Sequence, residues 1–224
     1  MALSLATLMD RSAFFEAVRH SLFNGELTQQ QVAGMEAILD FWESPPVQPS
    51  GELKTFWDQR LVSWLAYVLA TTKHETASSM QPIDEYGDDA YFTQMYEGRS
   101  ELGNDHPGDG ARFHGRGFVQ ITGRRNYAKM NEVVRHFYPD APDLTEIPAA
   151  AKDSKYAAVI ILYAMLTGAL TGFALKDLIG DADKGQNVDF FHARKSIGGL
   201  DAAETVEAYA KKFLLALVNA GATV

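Results

Sequence analysis

The sequence contains no cysteine among its 224 residues. Disulfide bonds, thiolate nucleophiles and cysteine-ligated metal sites are therefore excluded. The six histidines form no HExxH motif and no paired spacing typical of metal ligands. We expect neither a metal ion nor another cofactor.

Long apolar runs are also scarce, and only residues 156–175 approach the length of a membrane span, because they carry no charge. Gly168, Gly172 and two threonines interrupt the apolar face of this run. Aromatic belts, which anchor spans at both interfaces, do not flank it. We expect a buried core helix and no stable membrane insertion.

Basic residues are fewer than acidic ones, which gives a formal net charge of −9. This balance argues against non-specific binding of nucleic acid, which requires clustered outward-facing lysine and arginine. Residues 112–129, however, hold six basic residues and no acidic one. The pattern predicts a local basic groove on an acidic body.

The first fifteen residues lack a basic n-region and reach Asp10 early. This pattern is not that of a secretory signal peptide, so we expect synthesis as a soluble cytoplasmic product.

Apolar residues at helical spacing dominate the chain, and no proline- or serine-rich linker divides it. Only residues 113–121 have the pattern of a strand, so we expect one mainly α domain with a small β element. Helices are predicted to start near Asp10 or Ser12 and at Thr28. Another is predicted to run from Pro148 through the uncharged stretch. Further helices are predicted over residues 56–73, 123–137 and 201–219.

Residues 107–127, PGDGARFHGRGFVQITGRRNY, combine five glycines with four arginines. Glycine lets backbone approach a bound molecule closely, and arginine presents a fixed fork of hydrogen-bond donors. The segment therefore predicts a ligand-binding loop, in which Arg112 and Arg116 are candidate substrate contacts. It lacks the Lys-Ser/Thr pair that completes a phosphate-binding loop.

Two groups of carboxylates carry the candidate chemistry. Glu75 follows an apolar run and closes a predicted helix, where burial and the negative end of the helix dipole favour the protonated form of a general acid. Asp84 and Glu85 lie in a predicted loop, where a hydrated, ionised carboxylate can serve as a base. Glycoside hydrolysis uses such a pair, although a surface Glu and a solvated acidic loop would show the same pattern.

The order of four motifs resembles glycoside hydrolase family 19, the chitinases and their phage endolysin relatives. The motifs are His74-Glu75-Thr76, Asp84-Glu85-Tyr86-Gly87, GRGFVQITG at residues 115–123, and Asn126-Tyr127. The resemblance covers residues 64–127 closely and the last third loosely. It implies a lysozyme-like α+β fold with a small β element beside the cleft. Within the single domain 1–224, residues 51–224 would form the catalytic core and residues 1–50 a helical extension packed on it.

The same resemblance implies roles for particular residues. Glu75 would be the acid and Glu85 the base, with Asp84 as the alternative, and Thr122 would hold the attacking water. Gln120, Asn126 and Tyr127 match substrate-binding positions of the family, and we add His74 as a hydrogen-bonding support for the site. Family relatives often carry Asn-Gly-Gly or Asn-Gly-Leu near the C-terminus, whereas residues 195–200 read KSIGGL.

The resemblance to family 19 implies a glycosidase that inverts configuration at β-1,4 bonds of N-acetylhexosamine polymers. Peptidoglycan is the expected substrate, cleaved by a monomeric, bacteriolytic endolysin of phage or prophage type that reaches the cell wall after release by a holin or another route. Chitin is the alternative substrate. The missing Asn motivates a third reading, a relative that binds glycan without cleaving it.

Overall fold

The computed structural model describes residues 9–181 and 184–222. The first eight residues, on which the argument about a signal peptide largely depends, lie outside these ranges. The described residues form ten α-helices and one two-stranded antiparallel sheet. The helices are α1 (Arg11–Leu22), α2 (Gln29–Glu43), α3 (Gly51–Trp57), α4 (Val62–Glu75), α5 (Asp89–Tyr96), α6 (Asp109–Arg112), α7 (Arg124–Phe137), α8 (Ser154–Thr167), α9 (Leu175–Leu178) and α10 (Ala203–Asn219). The strands are β1 (Ile83–Asp84) and β2 (Arg116–Gly117), and short 3₁₀ helices cover Ser100–Leu102, Pro148–Lys152 and His192–Ser196.

The first two helices begin at the residues that the sequence predicts. Asp10 caps α1, because its carboxylate accepts a hydrogen bond from the backbone N–H of Ala13 at 3.0 Å. Thr28 caps α2 in a reciprocal capping box with Gln31. Local chemistry is therefore sufficient to place both starts.

The helix predicted over residues 56–73 is wrong, because the structure divides this region into α3 and α4. At the break Leu61 is extended, and the Arg60 guanidinium lies 4.7 Å from the ring centroid of Trp57. Trp57 and Trp64 are both buried on either side of the break. Buried apolar residues therefore occur on both sides of the turn, so their spacing in the sequence does not show where the helix breaks.

Residues 156–167 of the uncharged run lie in α8, a helix buried along most of its length, and residues 168–174 follow it outside any helix. The helix ends at Gly168, which adopts the left-handed conformation with φ of 71°. Within the described ranges, no helix has the length and apolarity that a membrane crossing requires. The prediction of a buried core helix is confirmed, but Pro148 starts a separate 3₁₀ helix and Asp153 caps α8.

The N-terminal helices share one hydrophobic core with the rest of the described chain. α1 packs on α10, where the rings of Phe14 and Phe213 stack with centroids 6.4 Å apart. α2 packs on α8, and Met35 and Ile38 are fully buried. The division of the domain at residue 50 stays a prediction.

α2 also holds the turn that follows α4. Gln31 Nε2 donates to the Ser78 carbonyl at 2.9 Å. Gly34 lies so close to this turn that a Cβ atom would be 1.6 Å from the Met80 carbonyl oxygen. Because the turn connects Glu75 to Asp84, the N-terminal region fixes the path between the two groups of carboxylates.

We predict that Gly34→Ala lowers the free energy of unfolding by about 1–3 kcal/mol or more, since overpacking forces the backbone to move. Urea unfolding of both forms measures the change. Gly198→Ala is the matched control, because no atom lies within 4 Å of its added Cβ, and we expect a change within about 0.5 kcal/mol. Equal effects of the two substitutions would refute the packing argument.

Candidate active site

The small sheet joins the acidic segment to the glycine-rich loop. Ile83 pairs with Gly117 and Asp84 with Arg116 in antiparallel register. The backbone of Arg116 also exchanges two hydrogen bonds with Ile121, at 3.0 and 3.3 Å. The loop therefore folds back on itself while it holds β1.

The strand predicted over residues 113–121 is too long, because only Arg116–Gly117 forms a strand. Gly117 and Gln120 have φ angles of 93° and 53°, which turn the chain out of the extended conformation. Its partner β1 lies in a segment that the sequence predicts as loop. The alternating pattern indicated the sheet but not its length or pairing.

Glu85 is held to Gly115 through both its backbone and its side chain. The Glu85 N–H donates to the Gly115 carbonyl at 2.8 Å, and the Gly115 N–H donates to Glu85 Oε2 at 2.9 Å. A Cβ atom at residue 115 would be 3.0 Å from both Glu85 Oε2 and Gln120 Oε1. Glycine at this position therefore lets the backbone approach the Glu85 carboxylate closely. The glycine pattern predicted such a close approach to a bound ligand.

The second oxygen of Glu85 accepts a hydrogen bond from the Tyr96 hydroxyl at 2.7 Å. Burial, together with this hydrogen bond, raises the pKa of Tyr96, so the hydroxyl stays a donor near neutral pH. Among the described residues, Glu85 forms no ion pair. Neutral donors therefore orient this partly buried carboxylate.

Asp84, the adjacent residue, has a different environment. It is paired with Lys152, with Arg116 Nε at 3.0 Å, and with His114 Nε2 at 3.5 Å. Burial raises the pKa of Asp84, but the hydrogen bond from Lys152 and the charges of Lys152 and Arg116 outweigh it and lower the pKa below its usual value. Asp84 is thus an anion that ties the sheet to its surroundings.

Glu75 is the last residue of α4, and its side chain is 18% exposed. Arg194 Nη2 lies 2.8 Å from Glu75 Oε1, but the N–H is not directed at the oxygen, which has no aligned hydrogen bond. The contact places a cation beside the candidate acid. The protonated form expected of Glu75 stays a prediction.

Sequence reasoning missed Arg194. No motif surrounds it, and the family resemblance covers that part of the chain only loosely. Arg194 Nε donates to the Asp201 carbonyl at 3.0 Å, which fixes the side chain against the following loop. Only the folded chain brings this arginine to the end of α4.

Three predicted site residues form a hydrogen-bonded series along the loop. Gln120 Nε2 donates to the carbonyls of Ile83 and Gly117 at 3.1 and 3.0 Å. Thr122 Oγ1 donates to the Gln120 carbonyl at 3.0 Å, and Asn126 Nδ2 donates to the Thr122 carbonyl at 2.8 Å. All three side chains remain partly exposed and keep free acceptor oxygens.

The arginines of the loop mainly bind the protein itself, and the local basic groove stays a prediction. Arg124 forms a bidentate pair with the buried Asp109 at 2.9 and 2.5 Å, and Arg125 donates to the carbonyls of Ser100 and Glu101. The guanidinium groups of both arginines are therefore engaged by protein oxygens.

The two arginines predicted to contact substrate, Arg112 and Arg116, also form hydrogen bonds with the protein. Arg112 donates to the carbonyls of Thr145 and Glu146. Arg116 is 9% exposed and, besides Asp84, donates to the Arg112 carbonyl at 2.9 Å. Within the described part of the chain, only Nη2 of Arg112 has hydrogen-bond partners, and its side chain stays 42% exposed. Contact of either arginine with substrate stays a prediction.

Tyr127 is fully buried and supports the loop from behind. Its hydroxyl donates to the His114 carbonyl at 2.8 Å and accepts from Arg116 Nη1 at 3.0 Å. Burial raises its pKa to about 12. The ring has no exposed surface with which to contact a glycan, whereas His74 is partly exposed and its imidazole makes no hydrogen bond to the described residues.

The arrangement supplies proton-transfer groups rather than a built metal site. It combines two carboxyl groups in different environments with a hydroxyl and two amides. Among residues 9–181 and 184–222, no group of three or more His, Asp or Glu side chains is arranged to hold a metal ion.

No protein-family model matches the chain, and comparison with curated proteins gives no significant match. The fold is similar to solved structures of chitinase C. The chain matches chitinase C from Streptomyces griseus with a TM-score of 0.52 and a mutant of chitinase C with a TM-score of 0.53. In both cases the identity is 17%, and the match covers 99% of this chain and 97% of the other.

These matches confirm the expected fold, mainly α and lysozyme-like with a small antiparallel sheet. They agree with the family 19 resemblance at the level of the fold.

We predict that the stability of the protein falls on acidification through the titration of Asp84. Its lowered pKa stabilises the fold above the unfolded-state value of about 4, and this contribution is lost as the pH falls through the folded-state value. Asp84→Asn should therefore lower the melting temperature at pH 7 and flatten its decline below about pH 4. The exposed Asp105→Asn is the control, and an unchanged acid profile in Asp84→Asn would contradict the assignment.

Proposed function

We propose that the chain is a glycoside hydrolase of β-1,4-linked N-acetylhexosamine polymers, with Glu75 as general acid and Glu85 as general base. The observation that carries this proposal is the Glu85 carboxylate, which neutral donors fix beside the small sheet of a chitinase-like fold. Among the described residues no cation pairs with this carboxylate, so its partners leave it oriented and not locked in an ion pair.

The contrast between Asp84 and Glu85 supports Glu85 as the proposed base. Asp84 is engaged by Lys152 and Arg116, and its lowered pKa makes it a weak proton acceptor. Glu85 would take a proton from water as that water attacks the anomeric carbon, while Glu75 gives its proton to the leaving oxygen. Attack from the face opposite the leaving group inverts the configuration.

The remaining groups would position water and glycan. The hydrogen of the Thr122 hydroxyl is directed to the Gln120 carbonyl, so its free lone pairs can accept a hydrogen bond from the attacking water. Gln120 and Asn126 would bind hydroxyl and acetamido groups of the sugar. In this proposal the arginines hold the loop in shape and leave recognition to neutral side chains.

Peptidoglycan is the proposed substrate, because the sequence of residues 107–127 resembles that of the phage endolysin relatives. In this proposal the enzyme acts as a phage or prophage endolysin on the cell wall after its release. Chitin is the second candidate, and the similarity of the fold to chitinase C favours it.

We predict that Glu75→Gln and Glu85→Gln each slow the clearing of a purified peptidoglycan suspension by about 10²-fold or more, since each removes a proton-transfer group. Turbidity loss measures the rate. Parallel assays on chitin oligomers decide the substrate class.

Glu132→Gln is the matched control, because Glu132 is an exposed carboxylate on α7, and it should keep wild-type activity. Two results would overturn the proposal: wild type inactive on both glycans, which would leave a glycan-binding relative, or both Gln variants as active as wild type.

A further inference from the structure

Six buried side-chain polar atoms of the described residues have no hydrogen-bond partner, and five of them lie around the end of α4 and the segment facing it. Three are on α4 itself and two on residues 194–196; the sixth is Arg60 Nε. The five are Tyr67 Oη, Thr71 Oγ1, Glu75 Oε1, Arg194 Nη1 and Ser196 Oγ. Such a concentration points to a polar site behind Glu75.

The geometry brings these atoms to one face. Tyr67, Thr71 and Glu75 are spaced by four residues on α4 and therefore share a side of the helix. Arg194 meets this side at Glu75, at 2.8 Å. Further back along the helix, the ring of Phe190 stacks on Tyr67 with centroids 5.9 Å apart.

Thr71 differs from the other threonines of its helix region. The hydroxyls of Thr72 and Thr76 donate to the carbonyls four residues before them, at 2.9 and 2.7 Å. Thr71 is equally buried, yet its hydroxyl makes no such bond. A hydroxyl of this kind is available to a molecule lying outside the helix.

Leaving these groups unsatisfied would be costly, since each buried polar group without a partner costs about 1–3 kcal/mol. Burial raises the pKa of Tyr67, so its hydroxyl stays protonated and can donate. A water molecule donates twice and accepts twice, which matches a site that offers hydroxyls, a guanidinium N–H and a carboxylate.

We propose that Tyr67 and Thr71 bind ordered water against Arg194, and that this water sets the orientation of Arg194 on Glu75. Tyr67 and Thr71 are then positioning residues, which act on the acid through Arg194 and do not touch the glycan. The catalytic meaning of the site rests on the proposed function; the water site itself does not.

Tyr67 is surrounded by charged groups from three elements. Glu75 lies on its own helix, Asp189 and Arg194 belong to the segment packed against it, and Glu207 lies on α10. Arg194 is the cation of this set, so its orientation decides how strongly the anion of Glu75 is stabilised.

A crystal structure of the full chain at about 1.8 Å tests the water site without reference to activity. We expect a water oxygen within about 3.2 Å of both Tyr67 Oη and Arg194 Nη1, with Thr71 Oγ1 as a further partner. A dry site, or hydroxyls bonded directly to protein groups, would overturn the proposal.

Kinetics of three variants test the positioning role. Thr71→Val and Tyr67→Phe should lower kcat by about fivefold with KM unchanged. This kinetic profile, a lower kcat at unchanged KM, is the one expected when Arg194 no longer holds Glu75 in its reactive orientation. Thr71→Ser keeps the hydroxyl and should restore the wild-type profile.

Thr72→Val is the matched control, since it removes a buried hydroxyl from the same helix that bonds only to the Val68 carbonyl. It should alter stability without moving the profile. Identical profiles for Thr71→Val and Thr72→Val would overturn the positioning role. If wild type cleaves neither glycan, the proposed function fails, and the crystal structure still decides the water site.

Discussion

Both the backbone and the carboxylate of Glu85 bind Gly115, and the rest of the candidate site depends on this contact. It joins the acidic segment to the glycine-rich loop at a distance that leaves no room for an unstrained Cβ at residue 115. Gln120 reinforces the junction by donating to the Ile83 carbonyl. Because Thr122 bonds in turn to Gln120, the position of Glu85 fixes the groups proposed to hold water.

Two adjacent acids at the end of β1 differ because their side chains reach different partners. Asp84 reaches Lys152 and Arg116, whereas Glu85, the residue after the strand, reaches the Tyr96 hydroxyl and the Gly115 N–H. Asp84 stabilises the sheet as an ion, and neutral donors hold Glu85.

The sequence predicted the features that residues close together in the chain determine. The caps at Asp10 and Thr28 are examples. The break before α4, the short strand and the engagement of the arginines depend on distant partners. Arg194 is the clearest case, because it meets Glu75 only after the last third of the chain has folded onto α4.

The central claim is that Glu75 and Glu85 act as acid and base across one glycosidic bond. Proton NMR of the first products, recorded before mutarotation, tests it on whichever β-linked N-acetylhexosamine oligomer the protein cleaves. Direct attack of water predicts that the new reducing end appears as the α anomer. Initial release of the β anomer would mean retention of configuration and would contradict the account.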